Sequence, residues 1–222
     1  MMDILKSDLK YLELTKYLER QLNNYFPDLK KNKSLSNIVS KSLKKVETNF
    51  KHITLPHYKK NGKPYFNYLN ADHYTVFIYY CSNIAYKEGD INLASKLFYL
   101  NKALHSFHCM YDTNLPDIFI VCHGVGTVLG KAKYSNYFVV TQGCTVGANA
   151  KLEYPELGEN IVMYPNSSIL GNSKISSSVV CSNNSMVLNK NIKSNSIIVG
   201  QHPNVDTKEV QTDVFSQFFI KE

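Results

Sequence analysis

From Cys109 onward the chain repeats with a period of six, and this constrains its fold more than any other feature. Every sixth residue from Cys109 to Val187 gives fourteen positions, ten of them apolar. Three residues after each lies a position that is Gly or Asn in seven of the fourteen cases, although Gly and Asn together fill only 33 of 222 positions in the chain. Those two residues enter left-handed backbone geometry at least cost and so mark turns. A unit of short strand plus turn repeated every six residues predicts a parallel β-helix, with three units closing one triangular coil. Residues 18 apart should then stack. The series Val121, Val139, Leu157, Ile175 is apolar at each level, as an interior ladder must be. The series Leu115, Lys133, Lys151, Ile169, Val187 fails at its two lysines, which a narrow dry core cannot hold without a partner. The coil is therefore expected to bulge near "GKAKYSN" and "ANAKLEYPE".

The first half has a different period. Leu5, Leu9 and Leu12, then Leu14, Leu18 and Leu22, follow three- and four-residue spacing and predict one helix. Leu35 to Phe50 predicts a second, capped by Ser34 or Ser36. "TLPHYKKNGKPYFNYLN", broken by Pro56, Gly62 and Pro64, reads as a loop. Asp72 is placed to cap a third helix that Gly89 stops, and Asp90 to cap a fourth ending near Ser106. The fold class is thus α+β, with a helical domain over 1–108, a β-helix over 109–200 and a tail over 201–222. The helical half can cover one open end of the coil.

Composition narrows the function classes. No run approaches the roughly 20 apolar residues of a membrane span. The charged start "MMDILKSDLKYLE" does not resemble a signal peptide, and a cytoplasmic location is expected. Five cysteines, odd in number and without a CxxC pair, argue against a disulfide framework or a cysteine-built zinc site. A formal charge of +7 favours anionic partners, but the lysines are scattered and no nucleic-acid motif accompanies them.

The segments "CHGVGTVLG", "FVVTQGCTVG", "YPELGENIVMYPNSSILGNSKI" and "SMVLNKNIKSNSIIVGQHPN" resemble the serine acetyltransferases, within the hexapeptide acyltransferases, over roughly residues 71–205. That family has a helical N-terminal domain before a left-handed parallel β-helix. The resemblance implies an acetyl-CoA-dependent O-acetyltransferase, assembled as a homotrimer or a dimer of trimers, with no metal. It places His123 on the general base, which an alcohol attacking a thioester needs because its own pKa lies far above neutral. The family's orienting carboxylate falls on His108; Asp117 and Asp112 are the other candidates for that work. Acetyl-CoA contacts carry over to Gly147, with Ala148 beside it, and to Pro165 and Asn183, which 18-residue stacking would align along the coil axis. Gly200 and Pro203 match the family's tail, while its basic residue for the nucleotide phosphates is reduced to His202 or Lys208.

The departures concern the acceptor. Where the family has an aspartate before the base, this chain has Cys122, and where it has an arginine–histidine pair, Glu153 and Tyr154. Loss of buried charge partners disfavours L-serine. The acceptor is therefore expected to be a sugar hydroxyl of a surface polysaccharide or its precursor, with serine O-acetylation as the alternative. A non-catalytic β-helix scaffold is the alternative from another class. A metal-dependent β-helix hydrase is excluded, since such sites need about three histidines and only His123 and His202 follow His108.

Overall fold

The computed structural model describes residues 5–28 and 32–220. Helices α1 (Tyr11–Tyr25), α2 (Leu35–Lys51), α3 (Ala71–Lys87) and α4 (Ile91–His105) form the N-terminal half. Helix α3 lies at its centre and is buried almost continuously from His73 to Asn83, which explains why "HYTVFIYYCSN" is apolar on nearly all sides rather than along one stripe. Helix α4 starts at Asp90, whose carboxylate accepts the Leu93 N–H (3.1 Å), and ends at Ser106 in left-handed geometry (φ 53°). Ser34 precedes α2, but its hydroxyl donates to Asp90 (2.6 Å) instead of capping its own helix.

Two details of the helical half differ from the periodic reading. Helix α1 buries Leu14, Leu18 and Leu22, whereas Leu12 is exposed and Lys6–Ser7 forms a short strand. That strand pairs with Lys63–Phe66, which pairs in turn with Lys59–Lys60 around an Asn61–Gly62 turn with both φ positive (54° and 73°). The supposed loop thus supplies two strands of a three-stranded sheet. Its Asn-Gly pair is the usual two-residue hairpin signal.

The C-terminal half is a parallel β-solenoid. One wall stacks Phe119–Val121, Phe138–Val140, Ile161–Met163, Val179–Cys181 and Ser196–Gln201. A second stacks His108–Cys109, Val128–Leu129, Thr145–Gly147, Ser168–Leu170 and Met186–Leu188. The third holds Glu156–Leu157, Lys174–Ile175 and Asn191–Ile192. Inward positions are Val, Ile, Leu, Phe and Cys at close to zero exposure.

The spacing of the coils is uneven. From Phe119 to Phe138 the step is 19 residues, and from Phe138 to Ile161 it is 23; only the next, to Val179, is 18. The predicted column therefore holds for Leu157 and Ile175, which pair. Val121 instead pairs with Val140, and Val139 with Val162. All four residues are buried, but Val139 pairs with Ile120, one position from Val121, so Val121 and Val139 face opposite sides of the wall. The long step comes from the loop after Gly147, organised by Asn149: its side-chain oxygen accepts the N–H groups of Lys151 (2.9 Å) and Glu153 (3.1 Å). This is one of the two predicted breaks, and it keeps Lys151 outside. At the other, Lys133 faces solvent 3.1 Å from Glu156.

Both ends of the solenoid are covered. At the first coil, buried Asn49 of α2 binds the strand edge at Phe119. At the far end Asn204–Glu209 pairs antiparallel with Ser196–Gln201. The chain then returns to the helical half, where Phe215 and Phe219 pack on the Tyr137 ring and Phe219 bridges to Ile53. Among the described residues no helix is long and apolar enough to cross a membrane, and the five cysteines are unpaired.

Candidate active site

His123 lies where the six-residue rhythm breaks. Its coil corner, between Val121 and Val128, holds six residues; the corner stacked below, between Val140 and Thr145, holds four. The two extra residues push the turn out of the wall. His123 adopts left-handed geometry (φ 55°), Gly126 likewise (φ 73°), and the His123 side chain is 78% exposed. Gly124 lets this bulge close onto the wall, since a Cβ there would come within 2.5 Å of the Val121 side chain.

The group that holds His123 comes from the other half of the molecule. At the start of α3 the cap is Asn70, not Asp72: the Asn70 side-chain oxygen accepts the N–H groups of Asp72 (3.0 Å) and His73 (3.2 Å). With that work done by its neighbour, the Asp72 carboxylate reaches across to the solenoid. Both its oxygens accept the His123 backbone N–H at 3.0 Å. Asp72 Oδ2 lies 3.9 Å from His123 Nδ1, beyond hydrogen-bond length. Asp72 thus fixes the backbone of the bulge and puts a negative charge beside the imidazole while leaving the ring free.

A cleft of about 550 Å³ opens in front of the pair, bounded by Asn70, Asp72, Thr75, His105, Ser106 and His123. Burial holds His105 down at a pKa of about 4, against the pull of Asp72, so it is neutral at pH 7. His73, behind Asp72, is held at about 3 by burial and then by His57. Burial, reinforced by Asp72, raises the Cys122 thiol pKa. Among the described residues no lysine or arginine lines the cleft. A base of ordinary exposure, one fixed carboxylate and neutral walls suit proton abstraction from a hydroxyl entering the cleft.

The other expected residues are scattered. Asp117 is exposed and paired with Lys45 of α2 (2.8 Å). The His108 ring packs edge-on against Phe98 of α4 (5.2 Å) while its strand pairs with Val128. Asp112 pairs with Lys131 (2.9 Å). None of the three stands where Asp72 does. Pro165 and Asn183 do stack, because Val121, Val140, Met163 and Cys181 are paired in series and the residues two further on are His123, Gln142, Pro165 and Asn183. Hydrogen bonds tie the lower corners together, Asn166 N–H to Gln142 O (3.0 Å) and Asn184 N–H to Pro165 O (2.9 Å). Gly147 is not in that line. It pairs with Leu170 one corner further on, with Ala148 opening the inserted loop, because five extra residues separate this coil from the next. Gln142 occupies the level assigned to Gly147. His202 and Pro203 form the turn of the terminal hairpin, Gly200, two positions before His202, pairs with Val205, and Lys208 lies opposite Ile197.

No protein-family profile matches the chain. Serine acetyltransferases of two Staphylococcus epidermidis strains are 35% identical to it over 89 residues, 38% of this chain and 37% of theirs, so the match spans little more than a third of those relatives. A crystal structure of serine acetyltransferase from Neisseria gonorrhoeae superposes with a TM-score of 0.69 at 19% identity, covering 92% of this chain and 80% of that one. The Vibrio cholerae enzyme gives 0.69 at 13% identity, with 90% and 80% covered. Further structural neighbours are serine acetyltransferase complexes with CoA, with serine and with cysteine. Helices followed by a parallel β-solenoid of about five turns, the arrangement expected from the sequence, are thus the fold of these enzymes, and the chain is serine acetyltransferase-like in sequence and fold.

Proposed function

We propose that this chain is an acetyl-CoA-dependent O-acetyltransferase of the serine acetyltransferase type, with His123 as general base. The observation that carries the reading is the exposed His123 imidazole at the mouth of an open cleft, its backbone N–H fixed by the Asp72 carboxylate. The base removes the acceptor hydroxyl proton as that oxygen forms its bond to the thioester carbonyl carbon. The carbon–sulfur bond then breaks, and the proton held by the imidazole leaves with the CoA sulfur. The acyl donor is acetyl-CoA. An extended pantetheine laid along the corner column Asn183, Pro165, Gln142 leads up to His123, while Gly147 and Ala148 stand one corner further round the coil. Assembly into trimers, which would place a second copy against this groove, and a cytoplasmic setting belong to the same reading.

L-serine is the acceptor favoured here, in place of the sugar hydroxyl expected from the sequence. That expectation rested on charges missing at Cys122 and at Glu153 and Tyr154. Asp72 returns a carboxylate to the site from another element, and with it a partner for an ammonium group. The relatives named above carry the name of serine acetylation, and nothing in the comparisons points to a polysaccharide. The test is release of free thiol from acetyl-CoA. L-serine is expected to support turnover roughly tenfold or more faster than N-acetylglucosamine or a capsular oligosaccharide, a margin of about 1.4 kcal/mol in transition-state binding; the reverse order overturns the assignment.

Asp72 is a positioning residue in this scheme. Its removal in Asp72→Ala frees the bulge at His123, and displacement of a base by about 1 Å can cost on the order of 100-fold. Asp72→Asn keeps an oxygen for the His123 N–H but loses the charge. A loss of about 10- to 100-fold in kcat is therefore expected for Asp72→Ala. Asp72→Asn should recover much of kcat while KM for L-serine stays raised. Equal defects in both parameters for both variants would reject the positioning role.

A further inference from the structure

We propose that Asp72, Cys122 and His123 form a binding site for a divalent transition-metal ion of the zinc type, and that an ion bound there withdraws His123 from base catalysis. The inhibitory half of this statement rests on the acetyl-transfer reading; the binding half does not. One ligand atom from each residue lies within 4.8 Å of the others. The Asp72 Oδ2 to His123 Nδ1 separation is already 3.9 Å. Zinc bonds of about 2.0–2.3 Å in tetrahedral geometry place ligand atoms roughly 3.3–3.8 Å apart, so the set has about 1 Å to close. The His123 side chain, 78% exposed, is free to supply that movement.

Residues 122 and 123 are adjacent, and in a regular strand their side chains would point to opposite faces. The left-handed turn at His123 breaks that alternation and brings thiol and imidazole together against a carboxylate delivered by α3. The chemistry selects the ion. Calcium and magnesium require several oxygen ligands, whereas one sulfur, one nitrogen and one oxygen suit zinc and its neighbours, with a fourth position left open. That position faces a cleft in which no lysine or arginine competes with a cation. The requirement for three histidines, which excluded a metal-dependent hydrase, counts only imidazoles and cannot register Asp72 fifty residues upstream.

The test uses the full chain, metal-free, titrated with Co²⁺. One equivalent is expected to give a near-ultraviolet thiolate-to-cobalt charge-transfer band and visible bands of four-coordinate intensity, both abolished by Zn²⁺. Cys122→Ser should lose the charge-transfer band. His123→Ala, which removes an exposed side chain and leaves the core intact, should weaken binding roughly tenfold or more. Absence of the band, or its persistence unchanged in Cys122→Ser, overturns the site. For the inhibitory half, Zn²⁺ should suppress thiol release and a chelator restore it, and whatever activity Cys122→Ser retains should be insensitive to Zn²⁺. Undiminished transfer with zinc bound overturns that half. A cobalt spectrum in a protein that transfers acetyl to no acceptor leaves the site standing and removes the enzymatic reading instead.

Discussion

His123→Ala is expected to lower thiol release from acetyl-CoA by about 10²- to 10⁴-fold, the range a positioned general base contributes, while the thermal midpoint of the protein stays within a degree or two of the parent, the scale of a surface substitution. The separation of the two effects follows from geometry. The His123 side chain stands almost fully in solvent, and what the fold needs at this position is its backbone N–H, which donates to Asp72 and survives the substitution. Histidine is found in left-handed geometry more often than alanine, so a small stability loss is included in the expectation. The readout is kcat with saturating L-serine and acetyl-CoA, together with acetyl-CoA binding by calorimetry, which should be retained. Undiminished turnover would remove the imidazole from the mechanism. Loss of turnover together with loss of acetyl-CoA binding would make His123 a binding residue instead.

Of the two residues at the centre of the proposed site, the sequence singles out His123 and not Asp72, and the reason is physical. The six-residue period and the residues flanking it mark His123 locally, since a repeat specifies its own neighbours. Asp72 acts through a contact between the two halves that no period encodes. The sequence signal it does carry, a carboxylate at the start of an apolar helix, is the signal of a helix cap. Two residues earlier Asn70 carries the same signal and performs that work. Two Asx residues at one helix start, only one of which can cap, were the available hint that the other serves elsewhere. The stacking register was partly legible for a related reason. Coils of 17 to 23 residues satisfy the same burial demands as coils of 18 when turns take up the difference, so the apolar pattern identifies which residues are buried without fixing which of them touch or which side of the wall each faces. That is why Pro165 and Asn183 fall in one column and Gly147 in another. It is also why the proposed acceptor differs from the one expected from the sequence: that expectation follows from charges missing at their usual positions and takes no account of a carboxylate arriving from α3.

The junction that delivers Asp72 depends on Asn49, and its removal should be the most destabilising single change short of emptying the core. Asn49 sits fully buried in α2 against the first strand of the solenoid. Its side-chain NH₂ donates to the Phe119 carbonyl (2.9 Å) and its oxygen accepts the Phe119 N–H (3.0 Å). Among the described residues this strand is the outermost of its wall, so an asparagine amide completes its edge as a further strand would. Asn49→Ala leaves two backbone groups buried without partners, each costing about 1–3 kcal/mol. A loss of about 3–5 kcal/mol is expected, which for a chain of this size lowers Tm by roughly 6–20 °C. Asn49→Asp keeps the acceptor but replaces the donor with a buried charge, and should be no better than alanine. Asn49→Gln keeps both groups on a longer arm and should recover part of the loss. Because the same packing of helices on the first coil sets Asp72 against His123, Asn49→Ala should also lower kcat at temperatures where it remains folded. Melting curves and activity measured side by side test the link: a variant that melts early but turns over normally would show that the edge cap and the active-site contact are independent.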